Sequence, residues 1–451
     1  MVTIYLKGSL LSMFDVFEFG IVGMGPAGIG LAMSLHGTSK IKNTVCFERG
    51  SYIADLNCMA LTQNKCCYSK TCNIITGIGG ASTLSSGKIS DFPAGSGLIE
   101  FFDSEQQLKE LLDKIVPFLA KSIELKKTEI DAEVMKSAKL FYEEKNIDYK
   151  YYDVYEFNGR NYRDFIHKTV QALRTEGLQL YDNAEVIGID RDPNMLCFRI
   201  KVKTPKGETL FFVRNLVLAT GALNIQDRLV DQIVGQVNNS FEIGVRIEAP
   251  SNAFGNVLST HGDLKLKFGA GRTYCVTANG KIIAYQTGNL HFLEGCIDTS
   301  ASTGYTNLAV LIKYNDDKAV LNFINQYRER FGGIPIKQMF VDYSKGQIST
   351  REIRTTLNLA VCEDINSLFP LYINNAIKDF IKEVLVSAMG VSEDVITLVA
   401  PELKILRNLQ INRNFELYNK LFIIGAATGK FRGILQSLCS GIRCGQLLIK
   451  G

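Results

Sequence analysis

The chain has 451 residues, enough for two or three domains of ordinary size. Hydrophobic residues make up 46% and charged residues 21%, the make-up of a packed globular protein, which excludes a disordered chain. The 50 Lys and Arg against 46 Asp and Glu leave a net charge of only +4, too small for a dedicated nucleic-acid or membrane-surface binder, and no apolar run approaches the roughly 18 residues of a membrane span.

Residues 1–12 read as an extension that the fold does not need, and Met13 is an alternative start. No basic start, unbroken apolar stretch and small-residue cleavage site stand together there, so the expected compartment is the cytoplasm, with most of the 11 cysteines reduced. Cys46, Cys197, Cys362 and Cys439 sit in apolar segments and read as buried thiols.

The strongest signal follows at once. Residues 17–22 predict a short buried strand, weakened by Gly20; GMGPAG (23–28) makes a glycine turn; 29–35 continue as an apolar helix; and 44–48 form a second strand ending in Glu48. Gly23 permits the tight turn, Gly25 lets backbone approach a pyrophosphate, and Gly28 lets helix pack on strand. The helix N-terminus, with Pro26 and Ala27, would face the phosphates, and Glu48, followed by Arg49, would accept from the ribose hydroxyls of an adenosine. The alternative is a strand-to-helix turn with no ligand.

Residues 74–90 form a loop rich in glycine and serine, exposed or lying beside a flat ligand. Amphipathic helices are expected within 98–148, the first ended or kinked by Pro117, the second opened by a capping pair of Thr128 and Asp131. A helix at 165–173 carries His167 as a packing or surface residue. Short strands are predicted at 185–190, 198–203 and 209–213, with a turn at 206–207. A buried strand at 215–222 ends in Thr220 and Gly221, where backbone can again approach a nucleotide.

From 236 to 411 the character changes to a mixed sheet, with Asn279 and Gly280 as a hairpin turn and helices near 317–331 and 374–388. Residues 421–425 return to a buried strand, 426–432 to a loop, and 433–448 to a helix rich in small residues, whose N-terminus could face an electron-rich ligand atom. Gly269 and Gly271 do not continue into a second dinucleotide turn.

The front turn with Glu48, the strand end at 219–221 and the C-terminal strand and helix resemble the two-domain FAD-dependent oxidoreductases. GIGGASTLSSGK (77–88), IGVRIEAP (243–250), RTYCVTANGKII (272–283) and IGAATGKFRGILQSLCSG (424–441) resemble, more narrowly, the poorly characterised FAD-dependent dehydrogenase family. The resemblance implies an α/β fold: a Rossmann-like FAD-binding domain split in sequence (13–235 and 412–451, with a helical insert at about 98–148) and an inserted α+β substrate domain (236–411). It also implies noncovalent FAD, with Gly23, Gly25 and Gly28 at the pyrophosphate and Glu48 at the ribose. Val186 would neighbour the adenine, Gly79, Gly80 and Ala81 would pass near the flavin, and Arg432, Gly433 and Ile434 would meet its pyrimidine edge. Two departures stand out. Gly425 is followed by Ala426 where the family has aspartate, and Thr277 stands where a second cysteine would follow Cys275.

These features set the functional expectation: a flavoenzyme acting on a small molecule by hydride transfer, with NAD(P)H as a transient donor and no nucleic-acid partner. Lys88 is a candidate at the flavin N5 or O4 edge, and Arg272 a solvated charge. Cys58, Cys66, Cys67 and Cys72 form the densest cysteine cluster, either ordinary thiols or a redox dithiol facing the flavin. Their spacing lacks CxxC and no metal is expected. Only four histidines and no GxSxG elbow leave a nucleophilic triad unsupported. A flavin monooxygenase and a non-catalytic flavin-binding protein are the alternatives; substrate and oligomeric state are not legible.

Overall fold

A computed structural model describes residues 16–450 except 56–57, 63–65, 70, 85–86, 129, 193–194, 224–228, 235–238, 256–262, 298–301 and 408. The N-terminal extension, Met13 and His261 lie outside the described residues. The protein is a mixed α/β structure built on two large sheets.

The first sheet is mainly parallel. Val16–Val22 lies at its centre, flanked by Gly207–Leu218 and Thr44–Phe47, with Leu421–Ile423 and Gln179–Tyr181 outside them. The core strands are apolar on both faces, as a covered parallel sheet requires. Two antiparallel strands, Glu185–Asp192 and Cys197–Thr204, extend from Gly207–Leu218 as a ribbon. Gly207–Leu218 is itself one continuous strand, where separate strands are predicted at 209–213 and 215–222.

Helix Pro26–Ser34 starts directly after the glycine turn and packs on the last helix, Ile434–Lys450. A Cβ at Gly30 would overlap the Leu438 carbonyl, and one at Gly441 the Ala27 carbonyl. The small residues of the last helix therefore bring two backbones together, which ties the C-terminus of the chain to its first βα unit.

The second sheet is antiparallel over most of its width: Ile336–Met339, Thr397–Arg407, Asn239–Pro250, Tyr305–Tyr314, Gly271–Thr277, Asp263–Phe268 and Asp148–Tyr152, in that order. Its edge strand Asp148–Tyr152 comes from well before residue 236. Helices Asp317–Phe331 and Leu371–Phe380, the latter continuing through Ile381–Ala388, cover it and share its core. No helix among the described residues is long and apolar enough to cross a membrane.

Three local expectations are corrected. Asn279 and Gly280 do not close a hairpin: Gly271–Thr277 pairs within the second sheet, whereas Lys281–Thr287 pairs with Leu290–Cys296 in a separate two-stranded unit. The turn chemistry is real, with Asn279 at φ +50°, but it sends the chain from one layer to another. Pro117 does not end its helix, which runs Glu105–Ala120 through the proline's missing N–H. The cap of Ala132–Glu143 is Asp131 alone, accepting from the N–H groups of Glu133 and Val134, while Thr128 ends the strand Leu125–Thr128.

Candidate functional site

A cavity of about 530 Å³ opens where the C-terminal ends of the parallel strands meet the second sheet. One end is built from backbone. Gly23, Gly25, Pro26 and Ala27 line it, as do Glu48, Arg49, Val186, Thr220 and Gly221. Gly23 adopts φ +99°, and its N–H donates to the Phe47 carbonyl at 2.8 Å, which closes the turn on the next strand. A Cβ at Gly25 would meet nothing nearer than the Gly80 Cα at 3.8 Å, so the space beside this helix N-terminus belongs to the cavity. Gly28 is set behind it, where a Cβ would overlap the Gly23 carbonyl.

Glu48 is buried, and its carboxylate accepts the backbone N–H groups of Met24 (2.9 Å), Gly50 (2.8 Å) and Gly77 (2.9 Å). It ties the glycine turn to the 74–90 loop, a structural duty the motif does not reveal. Oε1 takes two of these bonds and Oε2 the one from Met24, which leaves acceptor capacity on Oε2 for a ligand hydroxyl.

Gly80, Ala81, Ala426, Arg432, Gly433 and Ile434 line the cavity as well, with Gly80 beside Gly25. Gly79 and Gly425 stand behind the wall, the first donating to the Met24 carbonyl (2.7 Å), the second to Ser440 Oγ (3.0 Å). The last helix presents its N-terminus here. Gln436, in its first turn and only 3% exposed, was not legible as a site residue. Its Nε2 donates to the Ser90 and Ala94 carbonyls (3.1 and 3.0 Å), which orients the amide, and its Oε1 has no partner among the described residues. A buried acceptor without a donor, on a cavity wall, calls for a ligand N–H or O–H.

The far end is built mainly from side chains of the second sheet. Tyr152, Asp263, Lys265, Tyr274, Cys275, Thr277 and Lys404 line it, with Glu294 from the two-stranded unit and Lys88 reaching in from Lys88–Ser90. Lys88 Nζ donates to the Val276 carbonyl (2.5 Å) and pairs with Asp263 (3.5 Å). Burial acts to lower its pKa, but the Asp263 carboxylate and Cys275 thiol outweigh it and leave the ammonium above its ordinary value. Cys275 sits at a bulge in Gly271–Thr277 with φ +46°, which turns its side chain out of register. Burial alone would raise that thiol; Lys88 and Arg246 bring it below its ordinary value. Behind it, fully buried Arg246 makes a two-pronged pair with Glu402 (2.7 and 3.0 Å) and donates to Asn307 Oδ1 (2.7 Å) and the Cys275 carbonyl (3.2 Å).

The cysteine cluster lies elsewhere. Cys66 Sγ donates to Gln286 Oε1 (3.4 Å) and the Gln286 N–H donates to Cys72 Sγ (3.3 Å), so the loop is fastened to Lys281–Thr287; Cys58, Cys66, Cys67 and Cys72 are not on the cavity wall. The placement of a dithiol facing the cavity is therefore corrected. Burial pushes the Cys72 thiol up to about 11, and all 11 cysteines are free. No group of three or more His, Cys, Asp or Glu among the described residues is arranged to hold a metal. Arg272 touches buried Glu242 and His167 packs edge-on to Tyr52, both away from the cavity.

The chain matches no protein-family model and no curated protein. Among solved structures it is similar to glycine oxidase from Geobacillus kaustophilus (13% identity, 97% of this chain and 95% of that one, TM-score 0.39). It is also similar to L-amino acid deaminase from Proteus vulgaris (11%, 99% and 96%, 0.40). A third is NikD, an unusual amino acid oxidase essential for nikkomycin biosynthesis (11%, 97% and 95%, 0.42).

Proposed function

We propose that the cavity holds FAD noncovalently and that the protein is an FAD-dependent oxidoreductase acting on a small organic molecule. The observation that carries this is the continuity of one cavity. It runs from the N-terminus of Pro26–Ser34, beside Glu48, past the N-terminus of Ile434–Lys450, to a charged chamber in the second sheet. Two helix N-termini on one cavity suit an extended ligand with anionic or electron-rich groups at two places. The residues fit the cofactor. Open space at Gly25 accepts a pyrophosphate, and Glu48 Oε2 accepts from a ribose hydroxyl. At the last helix, the unpartnered Oε1 of Gln436 asks for a donor such as a ring N–H.

When bound, the flavin supplies hydride-transfer chemistry. The chain's own part is to bind and enclose it: residues 13–235 and 412–451 as the cofactor part, with Val186 beside the adenine, Gly80 and Ala81 beside the ring, and Arg432, Gly433 and Ile434 at its pyrimidine edge. Residues 236–411, with Asp148–Tyr152, form the substrate part. Gly269 and Gly271 flank a tight turn between two strands, so a nicotinamide donor would dock at the flavin itself. The test is a visible spectrum of the purified protein, before and after reconstitution with FAD. A flavin band that bleaches on anaerobic reduction is expected; a protein that stays colourless after reconstitution overturns the proposal.

A further inference from the structure

Three cations converge on one ring at the far end of the cavity. Lys265 Nζ, Lys404 Nζ and the Arg432 guanidinium lie 4.9, 5.5 and 5.8 Å from the centroid of Tyr274, and all four residues line the cavity. With Lys88 this end of the cavity carries four basic side chains against two carboxylates, Asp263 and Glu294. Asp263 is shared between Lys265 (2.9 Å) and Lys88 (3.5 Å), and Glu402 behind the wall is occupied by Arg246.

One of these groups lacks an acidic partner. Arg432 donates to the Tyr274 hydroxyl (3.2 Å) and the Ile405 carbonyl (3.0 Å) and has no acidic partner among the described residues. Lys404, 4% exposed, is paired with Glu294 and stands 3.3 Å from Glu402. Burial, with Arg246 and Arg432 beside it, drives its pKa well below the ordinary value, so its charged form is disfavoured until an anion enters. Like charges gathered in a partly closed chamber repel one another and favour an anion that enters it.

We propose that this end of the cavity is a carboxylate-binding subsite, formed by Lys404, Arg432 and Lys265 around Tyr274, and that the substrate is a small organic acid. The carboxylate supplies the opposite charge missing at Arg432, whose planar fork suits a carboxylate. The backbone of Arg432 stays at the turn before the last helix while its guanidinium reaches the second sheet, so one residue joins the two ends of the site. The proposal rests on the flavoenzyme reading for the word substrate, and on the cation cluster alone for the binding.

Calorimetry of the full-length protein as purified, with benzoate and its neutral counterpart benzamide as probes, tests it. Benzoate should bind about tenfold or more tighter than benzamide. Lys404→Met and Lys265→Met should each weaken benzoate several-fold and leave benzamide unchanged. Equal binding of the two probes, or benzoate binding untouched in both variants, overturns the subsite; the probe comparison on the parent protein stands even where a variant does not fold. Inorganic phosphate binding as tightly as benzoate overturns the organic-acid assignment. The visible spectrum of the same sample separates the two proposals: a yellow protein without preference for benzoate loses the subsite alone. A protein colourless after FAD reconstitution that still prefers benzoate keeps the subsite and loses the flavin.

Discussion

The two ends of the cavity are made of different material. At the glycine-turn end the wall is backbone: a glycine turn, two strand ends and the N-terminus of a short helix, with Glu48 holding three loop N–H groups in place. At the far end it is long polar side chains on neighbouring antiparallel strands, propped from behind by the wholly buried pair of Arg246 and Glu402. Backbone recognition depends on few side chains and needs their absence at Gly25. Side-chain recognition puts charges where water is scarce, and each must be partnered by another residue or by a ligand. Substitutions at the far end should therefore cost stability, and many at the glycine-turn end only binding.

The largest expected effect is at the far end. Arg246→Met leaves Glu402 buried without its partner and should destabilise the fold by about 3–5 kcal/mol in urea unfolding. A loss below about 1 kcal/mol, no more than an ordinary substitution costs, would mean that the pair is not a structural prop. Glu48→Ala comes next and crosses the divide, because three backbone N–H groups lose their acceptor. About 3 kcal/mol of stability should go together with FAD affinity, and a change in affinity alone would show that the loops satisfy those groups in another way. Gly25→Val sharpens the contrast: its Cβ makes only an ordinary contact with Gly80 Cα at 3.8 Å, so the unfolding midpoint should hold, while FAD binding weakens by about 2 kcal/mol as the side chain fills the proposed pyrophosphate position.

Smaller effects probe the middle. Gln436→Met removes the unpartnered Oε1 and the two bonds from Nε2, and fluorescence titration should show FAD binding about tenfold weaker, roughly 1.4 kcal/mol. Unchanged affinity would leave Gln436 as a clamp on the Ser90 and Ala94 carbonyls only. Ala426→Asp, on the cavity wall in the short turn Gly425–Thr428, should tighten FAD by about 1 kcal/mol by adding an acceptor for a ribityl or ribose hydroxyl. Weaker binding would show that the turn is shaped around alanine.

The glycine-turn end was legible because its determinants are contiguous. Strand, GMGPAG turn, helix and second strand fall within 33 residues, from Val16 to Glu48, and each glycine has a steric reason that can be stated from the sequence. Periodicity likewise located Asp317–Phe331 and the last helix, since a helix pattern is a local property. Residue chemistry also located the turn at Asn279, but not what it joins, because pairing partners are chosen by the whole sheet.

The charged chamber had no local signature. Lys88 and Arg432 stand out in the sequence as flavin-edge candidates, but Asp263, Glu294 and Lys404 come from separate segments, and each alone reads as an ordinary surface or strand residue. The same is true of Gln436, whose orphaned oxygen exists only because the Ser90 and Ala94 carbonyls claim the nitrogen. The Cys58–Cys72 cluster left ordinary thiols and a dithiol both open in sequence, and tertiary packing set Cys66 and Cys72 against Gln286, off the cavity wall. Residue order alone specifies the glycine turn and the acid that ends its second strand, because those constraints are steric and short-range. Which charges share a chamber is settled only when the chain folds, because a charge's partners and its burial depend on strands that meet from distant parts of the chain.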